Sequence, residues 1–549
     1  MKAPSPSVLL LLAGGLLAVA FPLLAPASTP AVLALFLAGG YAVHAARTSP
    51  GPISRSRLFR AGLLLAIAVG LLVPALLGGL LSLDFVISGL VNAYAAVNRR
   101  DVLVAAAVLT VLILVARFWP ERLGETAFLV LGTVAALAVK LAYVHFVRLA
   151  PFSDFEGMWS MASRVAENGL PAVQQWALGS TNPLRWIYLE RVLPFLLPLR
   201  LAFGPEATSY TIPNVLANLA ASGLTYALAR SWFGATAARV AFALSLAAPE
   251  TLMASILPNH DVPGALYTLL GLFVFDRACR LVLAGRERAA LAVGLLFGAL
   301  SVVVGLQRTT GPFFVLSCGA VGALLVAVNG DRRRTARAAV LLLVAPLAVY
   351  LGLSRLLRAA DLTIPAERFA ARRGLVLMAG SDSWSAGTFA RFADVDQYYG
   401  ELPVRWYPLA AAKIAADTWH TPSARLTGYV VKSRSLYDLG TQTYFYVRGA
   451  EVRGLGVLEG RREDRITLFS RCFSVLFVGC FLVGCLRLFA APGVPLRAFV
   501  PLFYLAFVSS LILFFALAQP RYLYQIWFVG AIYAGFAFGP APRAEEGGG

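Results

Sequence analysis

Charge is scarce in this chain of 549 residues: Asp, Glu, Lys and Arg fill 14% of positions and apolar residues 59%, where a water-soluble domain carries ~25% charge. That balance excludes a soluble enzyme, a disordered tail and a collagen-like fibre. Acid is the scarcer sign, with 28 Asp and Glu against 47 Lys and Arg and a formal charge of +19. In a soluble protein the excess would point to nucleic acid. Here the arginines stand in short connections between apolar runs, where they orient spans and meet anionic lipid heads, so no nucleic-acid partner is expected. Cysteine and histidine are nearly absent. Cys279, Cys318, Cys472, Cys480 and Cys485 lie in or beside apolar segments, while His44, His145, His260 and His420 are scattered. Neither HExxH nor CxxC occurs. A disulfide framework, a tightly held transition metal and any other cofactor are therefore not expected.

What the chain has in quantity is long apolar runs, with a mean hydropathy of +0.74. A span needs ~20 apolar residues, and charge punctuation then gives about fourteen candidates. They lie near 8–25, 30–46, 60–82, 101–117, 126–147, 208–230, 236–257, 262–279, 289–306, 311–328, 338–354, 468–488, 497–518 and 522–538. Backbone open to lipid must be satisfied within its own segment and nothing alternates like a barrel strand, so the expected class is an all-α polytopic membrane protein. The first run also has secretory-signal features, Lys2 ahead of it and Ala25-Pro26-Ala27 behind; a retained helix is the favoured reading.

The arginine clusters Arg47, Arg55, Arg57 and Arg60, then Arg277, Arg280, Arg286 and Arg288, then Arg332, Arg333, Arg334 and Arg337, fall in loops of one parity. Those loops are expected in the cytoplasm. Five polar patches then meet on the other face: residues 148–206, the turn Asn259-His260-Asp261, the turn Gln307-Arg308, the long loop 357–466, and Gln519-Pro520-Arg521-Tyr522. The expected division is an N-terminal transmembrane extension over 1–125 and a core over 126–356 whose first external loop is 148–206. A long extracytoplasmic loop or flap follows over 357–466, then C-terminal helices with a short cytoplasmic tail over 467–549.

Pro151-Phe152-Ser153-Asp154-Phe155-Glu156-Gly157-Met158 follows a span directly and opens an amphipathic run. A half-desolvated carboxylate at a bundle mouth can take a proton from a hydroxyl, which makes Asp154 the candidate general base. The competing reading is a helix cap. Pro249-Glu250 lies within a span, and Pro258-Asn259-His260-Asp261-Val262-Pro263 at the next external turn. His260 and Asp261 are candidates for acceptor binding or support of the base, against an ordinary Pro-flanked helix start. Arg308 and Arg521, with Tyr522 beside it, are candidates for a phosphate, against snorkelling to lipid heads. Lys140, two turns below the same surface, reads as a snorkelling cation. The long loop, with Trp406, Tyr407, Trp419, Lys413, Lys432 and Arg434, reads as a flap on the headgroups, against a small sheet-containing domain around Thr441–Val447.

The order of these motifs over roughly 126–538 resembles the integral-membrane GT-C glycosyltransferases, and is closest to bacterial relatives of protein O-mannosyltransferases and aminoarabinose transferases. The resemblance implies a GT-C-like core with external amphipathic helices, in the plasma membrane with its site on the extracytoplasmic face. It implies a polyprenyl-monophosphate sugar donor, membrane lipid around it, and a glycan, lipid or protein hydroxyl as acceptor. By position it puts the base at Asp154; Glu156 stands where a second, usually adjacent, carboxylate would. Such relatives usually need no metal. A single displacement inverts the anomeric centre, whereas retention needs a second carboxylate as nucleophile. The alternatives are a lipid-linked oligosaccharide polymerase or ligase, and a polytopic lipid or solute transporter; no internal repeat favours the transporter.

Overall fold

A computed structural model describes residues 99–178, 184–307, 332–360, 449–458, 461–491, 495–515 and 524–540, with short pieces between them such as 71–76, 314–319 and 430–433. Two helices, α1 (Arg99–Arg117) and α2 (Gly124–Phe146), lead to a short strand β1 (Val147–Arg148). Four external helices follow: α3 (Ser153–Asn168), α4 (Leu170–Leu178), α5 (Leu184–Val192) and α6 (Leu196–Phe203). The bundle is then built by α7 (Thr208–Phe233), α8 (Ala235–Ala247), α9 (Pro249–Met253), α10 (Asp261–Leu283) and α11 (Glu287–Gln307). Next come α12 (Arg332–Ala339), which runs through a π turn into α13 (Ala345–Ala359), and strands β2 (Glu451–Val452) and β3 (Gly456–Val457). The last helices are α14 (Arg461–Ala490), α15 (Val500–Phe515) and α16 (Ile526–Phe536).

Among the described residues four helices are long and apolar enough to cross a membrane: Glu121–Phe146, Glu287–Gln307, Ala336–Ala359 and Arg465–Phe489. A fifth is added if the pair Ala235–Ala247 and Pro249–Ile256, bent by 52°, counts as one span. This makes the chain an integral membrane protein. The fourteen spans expected from hydropathy are not reached among these residues, and the candidates at 8–25 and 30–46 lie outside them.

Burial separates lipid-facing from interior helices. On α1 and α2, Leu103, Val111, Leu131, Val134 and Val139 are exposed, as suits a hydrocarbon boundary. By contrast α16 is buried along its whole length, and α7 buries Asn214, Asn218, Ser222 and Thr225 towards its neighbours. Where α14 crosses α16, a Cβ on Gly484 would run into the carbonyl oxygen of Tyr533; where α16 crosses α8, one on Gly535 would run into that of Ala237. Small residues at such crossings let backbones come close enough for dispersion to hold helices together in lipid.

At the far end of the bundle Asp276, 2% exposed, collects three donors. Trp232 Nε1 lies at 2.9 Å, Arg280 at 2.6 Å and Arg497 Nε at 3.0 Å. One carboxylate thus fastens α7, α10 and the 3-10 turn Leu496–Phe499 that precedes α15.

The described residues are mostly helical, with a few short strands. Strands β1, β2 and β3 form an antiparallel sheet with Val147 opposite Val452, Arg148 opposite Glu451, and Glu451 opposite Val457. The backbone leaving α2 loses its helical partners, and the chain returning towards α14 supplies new ones, including Arg453 N–H to Phe146 O at 2.8 Å. The segment Thr441–Val447, on which the competing reading of a small sheet-containing domain rests, lies almost wholly outside the described residues, and Val447 itself is helical. The described residues of the long loop lie partly at the surface, with Glu451, Arg453 and Leu455 exposed, and partly inside the fold. Lys432, Ser433, Leu436 and Tyr437 are buried, and the Tyr437 hydroxyl shares a 2.9 Å hydrogen bond with Ser509 of α15. A tyrosine ring and a lysine stem pack in an interior as readily as against headgroups, so composition could not separate the two.

Candidate functional site

Helix α3 forms because Phe155, Met158, Met161, Ala162 and Val165 repeat at helical spacing and bury one face, while Glu156, Ser160 and Arg164 stay outside. Trp159 meets the Tyr210 ring of α7 edge-on at 4.7 Å, so α3 lies across the bundle mouth instead of standing away from it. Asp154 is in the first turn of α3 but does not cap it: the N-cap is Phe152, with no side-chain cap bond. Its carboxylate is half-buried, and Oδ1 accepts the Tyr188 hydroxyl of α5 at 2.8 Å. The helix N-terminus and the hydroxyl both present positive partial charge to it, and the ionised form is the one a base requires. Glu156 is exposed and two residues on, which turns it to a different side of α3.

The second group surrounds the helix break. Pro249 supplies no N–H and starts a helix of only five residues, which ends through the 3-10 turn Ala254–Ile256, so carbonyls near that end are short of helical partners. Three asparagines answer them. Asn218 Nδ2 donates to Thr251 O at 2.8 Å, Asn214 Nδ2 to Leu257 O at 2.8 Å, and Asn259 Nδ2 to Ala254 O at 2.7 Å. Asn218 Oδ1 in turn accepts the Tyr524 hydroxyl at 2.9 Å. Glu250, 1% exposed, accepts Ser470 Oγ at 2.6 Å. Lys140 is not a snorkelling cation: it is 2% exposed and donates to Thr251 Oγ1 at 3.1 Å. Hydropathy placed it in a span without revealing that its face of α2 turns inward to an acceptor.

His260 and Asp261 are both buried, with His260 Nε2 3.5 Å from Asp261 Oδ1. Asp261 begins α10, as the bland reading held, yet the capping side chain is Asn259, whose Oδ1 accepts the backbone N–H groups of Asp261 and Val262 at 3.0 Å each. Asparagine two residues ahead of an apolar helix is a sequence signal that could have shown this. Gln307, fully buried, packs against Gly264 one turn into α10. Arg308, Arg521 and Tyr522 lie outside the described residues, next in chain to Gln307 and two to three residues before Tyr524. Among the described residues no three His, Cys, Asp or Glu side chains gather as a metal site.

Structure thus gives Asp154 a partner in Tyr188 and pairs His260 with Asp261, on separate elements linked by packing of α3 on α6, α6 on α7 and α7 on α10. Tyr188 was missed because a contact across 34 residues leaves no local pattern.

Among solved structures, the archaeal oligosaccharyltransferase AglB from Archaeoglobus fulgidus, in complex with an inhibitory peptide and a dolichol-phosphate, is 15% identical with a TM-score of 0.42. The match covers 76% of this chain and 50% of that one, so the chain spans about half the length of that relative. ArnT from Cupriavidus metallidurans, bound to undecaprenyl phosphate, is 15% identical with a TM-score of 0.36, over 75% of this chain and 77% of the other. No curated protein matches the chain. Residues 192–352 match the family model described as dolichyl-phosphate-mannose-protein mannosyltransferase, and the resemblance to GT-C glycosyltransferases read from the motifs therefore stands over α6 to α13.

Proposed function

We propose that the protein is a membrane glycosyltransferase that moves a sugar from a polyprenyl-monophosphate donor to an acceptor hydroxyl on the extracytoplasmic face, with inversion. The observation that carries this reading is Asp154: a half-buried carboxylate directly after a span, in the first turn of a helix lying on the bundle, with its rotamer fixed by a hydroxyl donor. The match of 192–352 to a mannosyltransferase family supports the reaction class.

The chemistry needs few groups. Asp154 takes the proton of the acceptor hydroxyl while that oxygen bonds to the anomeric carbon; the bond from carbon to phosphate oxygen breaks, and the polyprenyl phosphate leaves with one more negative charge. Cations that meet that charge lower the barrier. Arg308 and Arg521, with Tyr522, are assigned to this task. Arg308 follows Gln307, which packs at the start of α10, and Arg521 precedes Tyr524, which is bonded beside the helix break. The side chains of His260 and Asp261 are assigned to the acceptor. Glu156 faces away from Asp154, which favours a single displacement over a covalent intermediate on a second carboxylate.

The test is transfer of labelled sugar from a polyprenyl-phosphate donor by purified protein. Asp154→Asn is expected to abolish turnover and keep donor binding, because shape survives and the base does not. Arg521→Ala is expected to weaken donor binding. Full turnover by Asp154→Asn would overturn the mechanism, and solute or lipid flux in proteoliposomes without covalent change would replace it with transport.

A further inference from the structure

Resting on the reading of Asp154 as the base, the geometry points to Tyr188 as its positioning residue, with Gly157 as the gap that lets Tyr188 reach it. Asp154 and Gly157 are three residues apart on α3 and share one helix face. Tyr188 lies over that face. A Cβ built on Gly157 would stand 2.5 Å from Tyr188 Cε2 and 3.0 Å from Cδ2 and Cζ, so the ring rests on the glycine, and its hydroxyl ends 2.8 Å from Asp154 Oδ1. Real Cβ atoms do not come so near, so any side chain at 157 would push the ring off and pull the hydroxyl with it.

The hydroxyl acts on the carboxylate in two opposed ways. As a donor to the charged form it makes Asp154 a weaker base, which slows proton removal. As a tether it selects one rotamer of a short side chain at the bundle mouth, and misplacing a reacting group by ~1 Å costs on the order of a hundredfold in rate. A single hydrogen bond to a charged group changes an equilibrium by roughly tenfold or more. Only part of a change in basicity reaches the rate of proton transfer, so orientation is the larger effect and Tyr188 raises turnover.

The experiment compares Tyr188→Phe, Gly157→Ala and the double variant with the parent in the same sugar-transfer assay. Tyr188→Phe keeps the ring and removes one oxygen; kcat is expected to fall by roughly tenfold or more with KM and thermal midpoint unchanged. Gly157→Ala is expected to give a similar fall. The double variant is expected to be no slower than the worse single one, because the bond can be lost only once. A packing role would instead lower the midpoint of Tyr188→Phe and make the losses multiply, and either result overturns the inference, as would Tyr188→Phe at the parent rate. Asp154→Asn, run alongside, separates the readings: if it is inactive while Tyr188→Phe is unaffected, only the positioning role falls; if it is fully active, the base assignment falls as well.

Discussion

Lys140 on α2 donates to Thr251 on α9 at 3.1 Å, and both are buried in the bundle at the broken helix. A lysine in that setting depends on its oxygen partner, which among the described residues is Thr251 Oγ1. The pair gives asymmetric expectations, since taking away both demands is cheaper than leaving a donor without its acceptor.

Thr251→Val should lower stability by about 1–3 kcal/mol, because it strands the amine and also removes the Thr251 hydroxyl bond to Ala248 O. Lys140→Met should be close to neutral. Thermal unfolding in detergent compares them; a loss for Lys140→Met as large as that for Thr251→Val would mean that the amine has a task beyond this bond.

Gly484→Ala puts a methyl into the carbonyl oxygen of Tyr533 at the crossing of α14 and α16. Backbone cannot rotate aside as a side chain does, so the helices must separate, with a cost of about 1–3 kcal/mol or more. The neighbouring Gly479, with open space around it, is the control, and Gly479→Ala should melt like the parent.

Asp276→Ala removes the acceptor shared by Trp232, Arg280 and Arg497. Arg280 and Arg497 are part-exposed and can turn to water, so the loss should fall below the ~3–5 kcal/mol of a fully buried pair. Asp276→Asn, which still accepts, should recover part of it; equal midpoints for Asp276→Ala and the parent would show that α7 and α10 do not depend on this carboxylate.

Burial pushes the Lys432 amine down from 10.5 to about 7. Between those values the unfolded chain binds the proton that the folded one lacks, so stability should rise as pH climbs from about 7 to about 10.5 and stay level on either side. Melting the parent and Lys432→Met at both ends of that window tests it. The parent should gain more on going to alkaline pH, and parallel curves would mean the amine is charged inside the fold.

Hydropathy located the helices well where one face meets lipid. The runs at 126–147, 262–279, 289–306 and 468–488 correspond to α2, α10, α11 and α14. It treated 236–257 as one span although Pro249 was in plain view, because the early end of the helix after the bend relies on Asn214, Asn218 and Asn259, two of them far off in sequence, to take the carbonyls there. Asp154 was legible from its place after a span, while its partner Tyr188 was not. The same limit hid Lys140: a periodic pattern tells which residues share a face but not what that face meets.

The small sheet gives the long connection between α13 and β2 a fixed anchorage. Because β2 pairs with β1 only a few residues before Asp154, the chain that enters α14 and the first turn of α3 share one footing, and a shift in either is passed to the other.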